Sequence, residues 1–281
     1  MSPSTTQQTP IERPHWYVQI FPNPNLVAGS TLLGVGLRID TDAPFRCVGV
    51  AVYTVSAASV PLAGGGNVAQ QLRFTRPDGT WFQRDILSAQ QVNPFDAGAV
   101  NGAGGQNAPF FEYFTPLHPN ILYPAGSVIS IDQQGLAANE DVLVVVVFVG
   151  TKMFRPGQVW WPTYPPKYRA RPYSVSGFNV QIPLAQIPIQ NVKVPQSTPN
   201  YPNPNSDADF VWQFGSQSDY RPNFAGLGIR IKDWTGKPFM NDYVPLELIF
   251  GFDNSQSPGL VYPEIYIPRN QALFIDLKSL V

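Results

Sequence analysis

The chain is poor in the residues that most often carry chemistry. It has one cysteine, Cys47, and two histidines, His15 and His118, in 281 residues. A single cysteine excludes an internal disulfide framework and any paired-cysteine metal site. Neither histidine stands in an HxH or HExxH spacing, which excludes zinc sites of those kinds. Gly236-Lys237 has Ile231 where a phosphate-binding loop needs glycine, and no GxSxG occurs. Charge is scarce: charged residues make up 13%, against about a quarter of an average domain. The net charge of -1 gives no general attraction to nucleic acid or anionic membranes. Long apolar runs are missing as well. The longest, residues 142–149, has eight residues, and a membrane-spanning helix needs about 20. The N-terminal stretch MSPSTTQQTP has no basic region followed by an apolar one. No signal peptide is therefore expected, and the protein reads as soluble and made in a cytosol, with no membrane partner.

What is abundant is proline and apolar sequence. Proline is 30 of 281, roughly twice its usual share. Hydrophobic residues make up 43%, enough to fold. Short β-branched or aromatic runs recur between turn signals, at 16–20, 32–39, 46–55, 72–75, 128–132, 142–149, 209–214, 227–232, 246–250 and 273–277. One short helix is expected over residues 85–91, with Asp85 as its N-cap. That pattern gives an all-β protein, a sandwich or barrel. The unbroken VLVVVVFV of residues 142–149 predicts a strand buried on both faces or central in its sheet. Cys47, in FRCVGVAVY, reads as a small buried apolar residue.

The chain repeats itself. LRFTRPDGTWFQRDIL (72–87) aligns without a gap on IRIKDWTGKPFMNDYV (229–244). Arg73 meets Arg230, Gly79 meets Gly236, Phe82 meets Phe239 and Asp85 meets Asp242. PAGSVISID (124–132) then meets PRNQALFID (268–276) in the same order. The organisation expected is a flexible arm at 1–15, a first β-sandwich or jelly-roll-like module at 16–154, a proline-rich extended strap at 155–205, and a second, shorter β module at 206–281. The strap holds eleven prolines, which fix φ and remove backbone donors. Only five residues follow Asp276, so the second module lacks the strand that closes the first. The vacant edge invites the 178–194 part of the strap, a strand of a neighbouring subunit, or a different protein.

Candidate functional residues are few. Asp40 and Asp42 flank a threonine, which suits a solvated turn better than a calcium site. Asp85 and Asp242 suit capping roles rather than a catalytic pair, and Arg73 and Arg230 suit anchoring to an acidic neighbour. The segment 152–171 stands out. Its basic residues are Lys152, Arg155, Lys167, Arg169 and Arg171, interleaved with Trp160, Trp161, Tyr164 and Tyr168. Trp160, Trp161, Tyr164, Lys167, Tyr168, Arg169 and Arg171 are the residues expected at a protein interface, where Trp, Tyr and Arg are favoured anchors. Basic and aromatic residues together also fit single-stranded nucleic acid, the less favoured partner because the rest of the chain is not basic.

IRIKDWTGKPFMNDYVPLELIFG followed by PGLVYPEIYIPRNQALFIDL resembles a block in structural proteins of tailed-phage virions. There a strand, a "tGk" turn, "NDyVP" and "LiFG" precede a "yPeiyiPr" strand. The match is strongest over residues 229–277, and the first copy fits more loosely through DGTWFQRDILSA, ILYPAGSVISID and GTKMF. The resemblance implies two jelly-roll modules, a place in a virion, no enzymatic activity and no cofactor. It implies partners that are other virion proteins or copies of the same chain, with a homo-oligomer expected, and a virion protein made in the host cytoplasm. The alternative is a carbohydrate-binding tail or fibre adhesin, with Trp81 or Trp234 stacking on sugars.

Overall fold

Strand-forming runs become strands along the described chain, and their hydrogen-bonding partners reveal why the repeat exists. The structure, a computed structural model, describes residues 9–22, 31–56, 70–82, 87–88, 115–135, 141–159, 188–194, 209–215, 227–250 and 259–280. The first copy contains β1 (Ile11–Pro22), β2 (Thr31–Arg38), β3 (Phe45–Ser56), β4 (Gln70–Phe74), β5 (Leu87–Ser88), β6 (Thr115–Tyr123), β7 (Val128–Gly135) and β8 (Asp141–Phe154). Next come β9 (Ile189–Val194), β10 (Phe210–Gly215), β11 (Leu227–Lys232), β12 (Val244–Pro245), the one-turn helix α1 (Glu247–Phe250), β13 (Gly259–Ile267) and β14 (Leu273–Ser279). The protein is all-β, built from antiparallel sheets. A central sheet runs β1-β8-β3-β6, a first outer sheet β2-β7-β4-β5 and a second outer sheet β12-β11-β14-β9, with β10-β13 as a two-stranded ribbon.

The two outer sheets share one pairing pattern. β4 lies against β7 with Arg73 opposite Asp132, and β11 lies against β14 with Arg230 opposite Asp276. Leu72 pairs with Leu87, and Ile229 with Val244. Thr75 bridges Trp81, and Lys232 bridges Pro238. The turn bonds repeat as well: Gly79 N donates to Arg76 O at 3.0 Å, and Gly236 N to Asp233 O at 2.9 Å. Both turns need a left-handed residue, with φ of 81° at Gly79 and 84° at Gly236, which only glycine adopts without strain. The aligned residues are therefore those that set one turn and one strand register, twice.

The central sheet is buried on both faces, as the apolar run at 142–149 predicts. Residues Val144 to Val149 are each at most 4% exposed. Side chains alternate across a strand. Val144, Val146 and Phe148 join Tyr17, Phe45, Val50 and Val52 against Leu37, Phe74, Ile129 and Ile131 of the first outer sheet. Val145, Val147 and Val149 join Trp16, Val18 and Ala51 against Ile229, Ile231, Ile265, Ile275 and Leu277. One sheet thus serves two cores.

Four local expectations change. β1 starts at Ile11, so the last five residues of the expected arm are strand, held by a β8 long enough to pair Ile11 with Phe154. Leu87–Ser88 is strand, not helix, because Leu87 is paired across to Leu72; residues 83–86 and 89–91 lie outside the described chain. Residues 246–250 are not a strand: Phe250 N donates to Leu246 O at 2.9 Å, closing α1. LELIF is apolar throughout, and a short run of that kind does not distinguish helix from strand. Finally, part of the 178–194 segment does add a strand: β9 pairs with β14, Leu273 opposite Val194. It takes the place β2 holds in the first copy, not that of β8. Among the described residues nothing in the second copy corresponds to β1 or β8, and the second face of the central sheet covers that core instead.

Candidate functional site at the seam between the copies

The residues expected at an interface, Trp160, Trp161, Tyr164, Lys167, Tyr168, Arg169 and Arg171, lie outside the described residues. Lys152, at the head of that basic segment, does not belong to an exposed track. It sits in β8 opposite Arg13 and Phe45, and its side chain is 5% exposed. Its Nζ lies 2.6 Å from Asp40 Oδ2 and 3.0 Å from Asp42 Oδ1. The two aspartates of the β2–β3 turn thus hold an ammonium group, and the turn is anchored rather than merely solvated. Among the described residues no three His, Cys, Asp or Glu side chains converge as a metal site would require.

Charged groups gather instead along β1, where the second copy meets the first. Arg13 Nη2 donates to Asp233 Oδ2 at 2.9 Å and to Lys237 O at 3.2 Å, and its guanidinium stands 4.6 Å from the Phe239 ring centre. Burial disfavours the guanidinium charge, and Asp233 opposes that effect. Asp233 is itself fixed by the turn: its Oδ1 accepts from Thr235 N, Thr235 Oγ1 and Lys237 N at 2.6–2.9 Å. In the first copy the equivalent residue is Arg76, so this acceptor belongs to the second copy alone.

Three residues further along β1, backbone meets backbone. Trp16 N donates to Phe239 O at 2.8 Å, and Asn241 N donates to Trp16 O at 3.3 Å. The Asn241 side chain continues the ladder, accepting from Val18 N at 2.6 Å and donating to Val18 O at 3.1 Å. The segment around Met240 therefore acts as a short extra strand on the edge of β1, in a parallel bridge at Trp16. On the face of β1 opposite Arg13 and His15, Glu12 pairs with Arg46 and accepts from Thr151.

His15 faces the other way, into the first core. Its ring meets Tyr17 edge-on at 4.5 Å, and Phe45 lies 6.5 Å away. The side chain is 3% exposed, and among the described residues neither Nδ1 nor Nε2 has a hydrogen-bond partner. Burial, and then the nearby Lys152 and Arg13 charges, hold this imidazole well below the usual histidine range.

Of the repeated residues, Arg73, Asp132 and Asp276 prove to be anchors. Asp132 accepts from Gly34 N at 2.8 Å and from Arg73 Nε at 2.7 Å. Asp276 accepts from Asn191 N at 2.8 Å and from Lys232 Nζ at 2.9 Å. Gly34 and Asn191 both have positive φ, 66° and 58°, so each aspartate fastens the same kind of bulge. Arg230 keeps the register of Arg73, but Lys232 supplies the cation. Asp242 Oδ1 accepts from Tyr243 N at 2.8 Å, a local capping bond, and Asp85 is outside the described residues. Trp81 has one face covered by Arg73, 3.9 Å from its ring centre.

Sequence reasoning missed Arg13, His15, Asp233 and Asn241. Asn241 and Asp233 lie inside the repeat but differ from their first-copy equivalents, and that departure was the available signal. Compared with family models, characterised proteins and solved structures, the chain gives no match.

Proposed function

We propose that this chain is a non-enzymatic, capsid-associated structural protein of a virus particle. It assembles through its β modules, read as jelly rolls, and through the 155–205 strap, with copies of itself or other virion proteins as partners. The observation that carries the proposal is where the block similar to phage structural proteins spends its polar residues. Asp233, Asn241 and Asp276 fix a turn, a seam and a bulge rather than opening a catalytic cleft. Low charge, at 13%, agrees with a surface largely covered by partners.

Mass spectrometry of purified particles, with copy number, tests the proposal. Hundreds of copies mean shell or decoration, and about five to twelve mean a vertex or neck. A chain that never co-purifies with particles ends the proposal. Replacing Trp160 and Trp161 by Ala should weaken assembly by about 2 kcal/mol or more while leaving the isolated fold intact. Loss of monomer stability by the same amount places both in a core instead. The adhesin alternative is tested on a glycan array, where specific sugar binding favours it.

A further inference from the structure

We infer that His15 is an acid-operated latch: its neutral ring lets β1 seal the two copies together, and its protonation releases the Arg13 end of β1 from the second copy.

The geometry gives the imidazolium no place. Both ring nitrogens are buried, and among the described residues neither has an acceptor within hydrogen-bond reach. On β1 itself the ring is flanked by Arg13 and Tyr17, and from β8 by Lys152. From the turn before β3 it is faced by Asp40, while Asp42 beside it holds Lys152, and from β3 by the uncharged Phe45. Asp233 of the second copy reaches this group only through Arg13. Asp40 Oδ2 stands 3.9 Å from Nε2, beyond hydrogen-bond reach, and is already bound by Lys152 at 2.6 Å. A proton on His15 therefore adds a third cation beside Lys152 and Arg13, in a site closed to water.

The sign follows from linkage. The folded chain keeps His15 neutral, whereas the opened chain takes up a proton below about 6.5. The stability contributed by the neutral ring is whole above that pH and falls as pH drops, by up to about tenfold in the opening equilibrium per pH unit. Opening the end of β1 breaks the seam, because Arg13–Asp233, Trp16–Phe239 and Val18–Asn241 tie the second copy to this one edge strand. Glu12 and Arg46 lie on the opposite face and pair with each other.

Hydrogen exchange on the full chain, corrected for intrinsic rate, tests this between about pH 7.5 and about pH 5.5. Amides of β1 should lose protection by up to about tenfold per unit below about pH 6.5, before those of β7 and β14. A His15→Gln variant should show flat protection over the same range. Imidazole NMR follows His15 directly, because the chain has only one other histidine, the exposed His118. If His15→Gln does not fold, the wild-type exchange and NMR decide alone. β1 amides that stay protected at about pH 5.5 overturn the inference, whether the ring has stayed neutral or has titrated by turning onto Asp40. So does an acid dependence that survives in His15→Gln.

Discussion

Trp16 and Tyr17 are neighbours on β1 and serve different cores, which makes Trp16 the place to ask whether the two copies fold as one. Trp16 is 4% exposed and packs with the second copy; Tyr17 is fully buried in the first. Replacing a buried tryptophan by Ala costs about 3–5 kcal/mol, the higher figures where the site cannot collapse. Here it cannot collapse freely, because Trp16 N and O stay bonded to Phe239 O and Asn241 N on either side of the lost ring. Against a total of about 5–15 kcal/mol, that is a large fraction of the stability. Since β8 and β3 pack on both cores, the loss should reach both. Hydrogen exchange of Trp16→Ala should show protection in β7 and β14 falling together, by roughly 100- to 5,000-fold for 3–5 kcal/mol. If β14 loses protection and β7 keeps its own, the copies unfold separately and the shared-sheet argument fails.

Gly79→Ala and Gly236→Ala should each cost about 1–2 kcal/mol, the price of a left-handed residue, since an added Cβ meets no atom within 4 Å at either turn; losses of unfolding free energy from urea titration that differ by more than about 1 kcal/mol between the two would show that the repeated turns are not equivalent. Gly150→Ala is far worse, because its Cβ would lie 2.0 Å from Arg46 O, backbone that cannot swing away. A loss above about 3 kcal/mol, or no soluble folded protein, is expected, and near-wild-type melting would mean the β3–β8 spacing is wider than described. Cys47 is fully buried and its thiol is pushed up to about 12 by burial, so near pH 8 it is both protonated and enclosed. Disulfide-exchange labelling of Cys47 should therefore run at the unfolding rate, and labelling faster than unfolding would place the thiol nearer the surface.

The parts of the fold legible in the sequence were those set by local pattern. β-branched runs and turn signals gave the all-β class, and eight consecutive apolar residues gave the two-faced strand. The Gly79 and Gly236 turns were visible because a positive φ leaves a glycine in both copies. What stayed hidden depends on which surfaces meet. Nothing local to IERPH marks it as strand, since its partner, residues 150–154, lies far along the chain. Leu87–Ser88 and Leu246–Phe250 carry similar short-range signals and resolve oppositely, one by pairing with β4 and one by closing a turn. The seam residues were hidden for a related reason. A lone arginine, histidine or asparagine has no motif, and its role appears only when Asp233, Lys152 or Val18 is brought beside it.

The strands that the described part of the second copy does not supply lead to the last prediction. A β-sandwich needs both of its layers, and the second copy supplies one sheet of four strands with a two-stranded ribbon. Its core takes Trp16, Val18, Ala51, Val145, Val147 and Val149 from the central sheet. A fragment of residues 188–281 would leave Ile229, Ile231, Ile265, Ile275 and Leu277 facing water over that area. At about 1.5–3 kcal/mol for each buried aliphatic side chain, uncovering even a few exceeds what a marginally stable domain can lose. The fragment would also lose the Arg13 partner of Asp233 and the Val18 partners of Asn241. It should show no cooperative thermal transition and should aggregate through its uncovered face. Residues 1–159 alone should aggregate too, through the other side of the same seam. The two fragments mixed or co-expressed should recover a single cooperative transition, because the pieces meet along one edge and one face rather than through an interlocked path. A fragment of 188–281 that melts sharply as a monomer would mean that the second copy has a complete core of its own, and that the central sheet is its neighbour rather than its missing half.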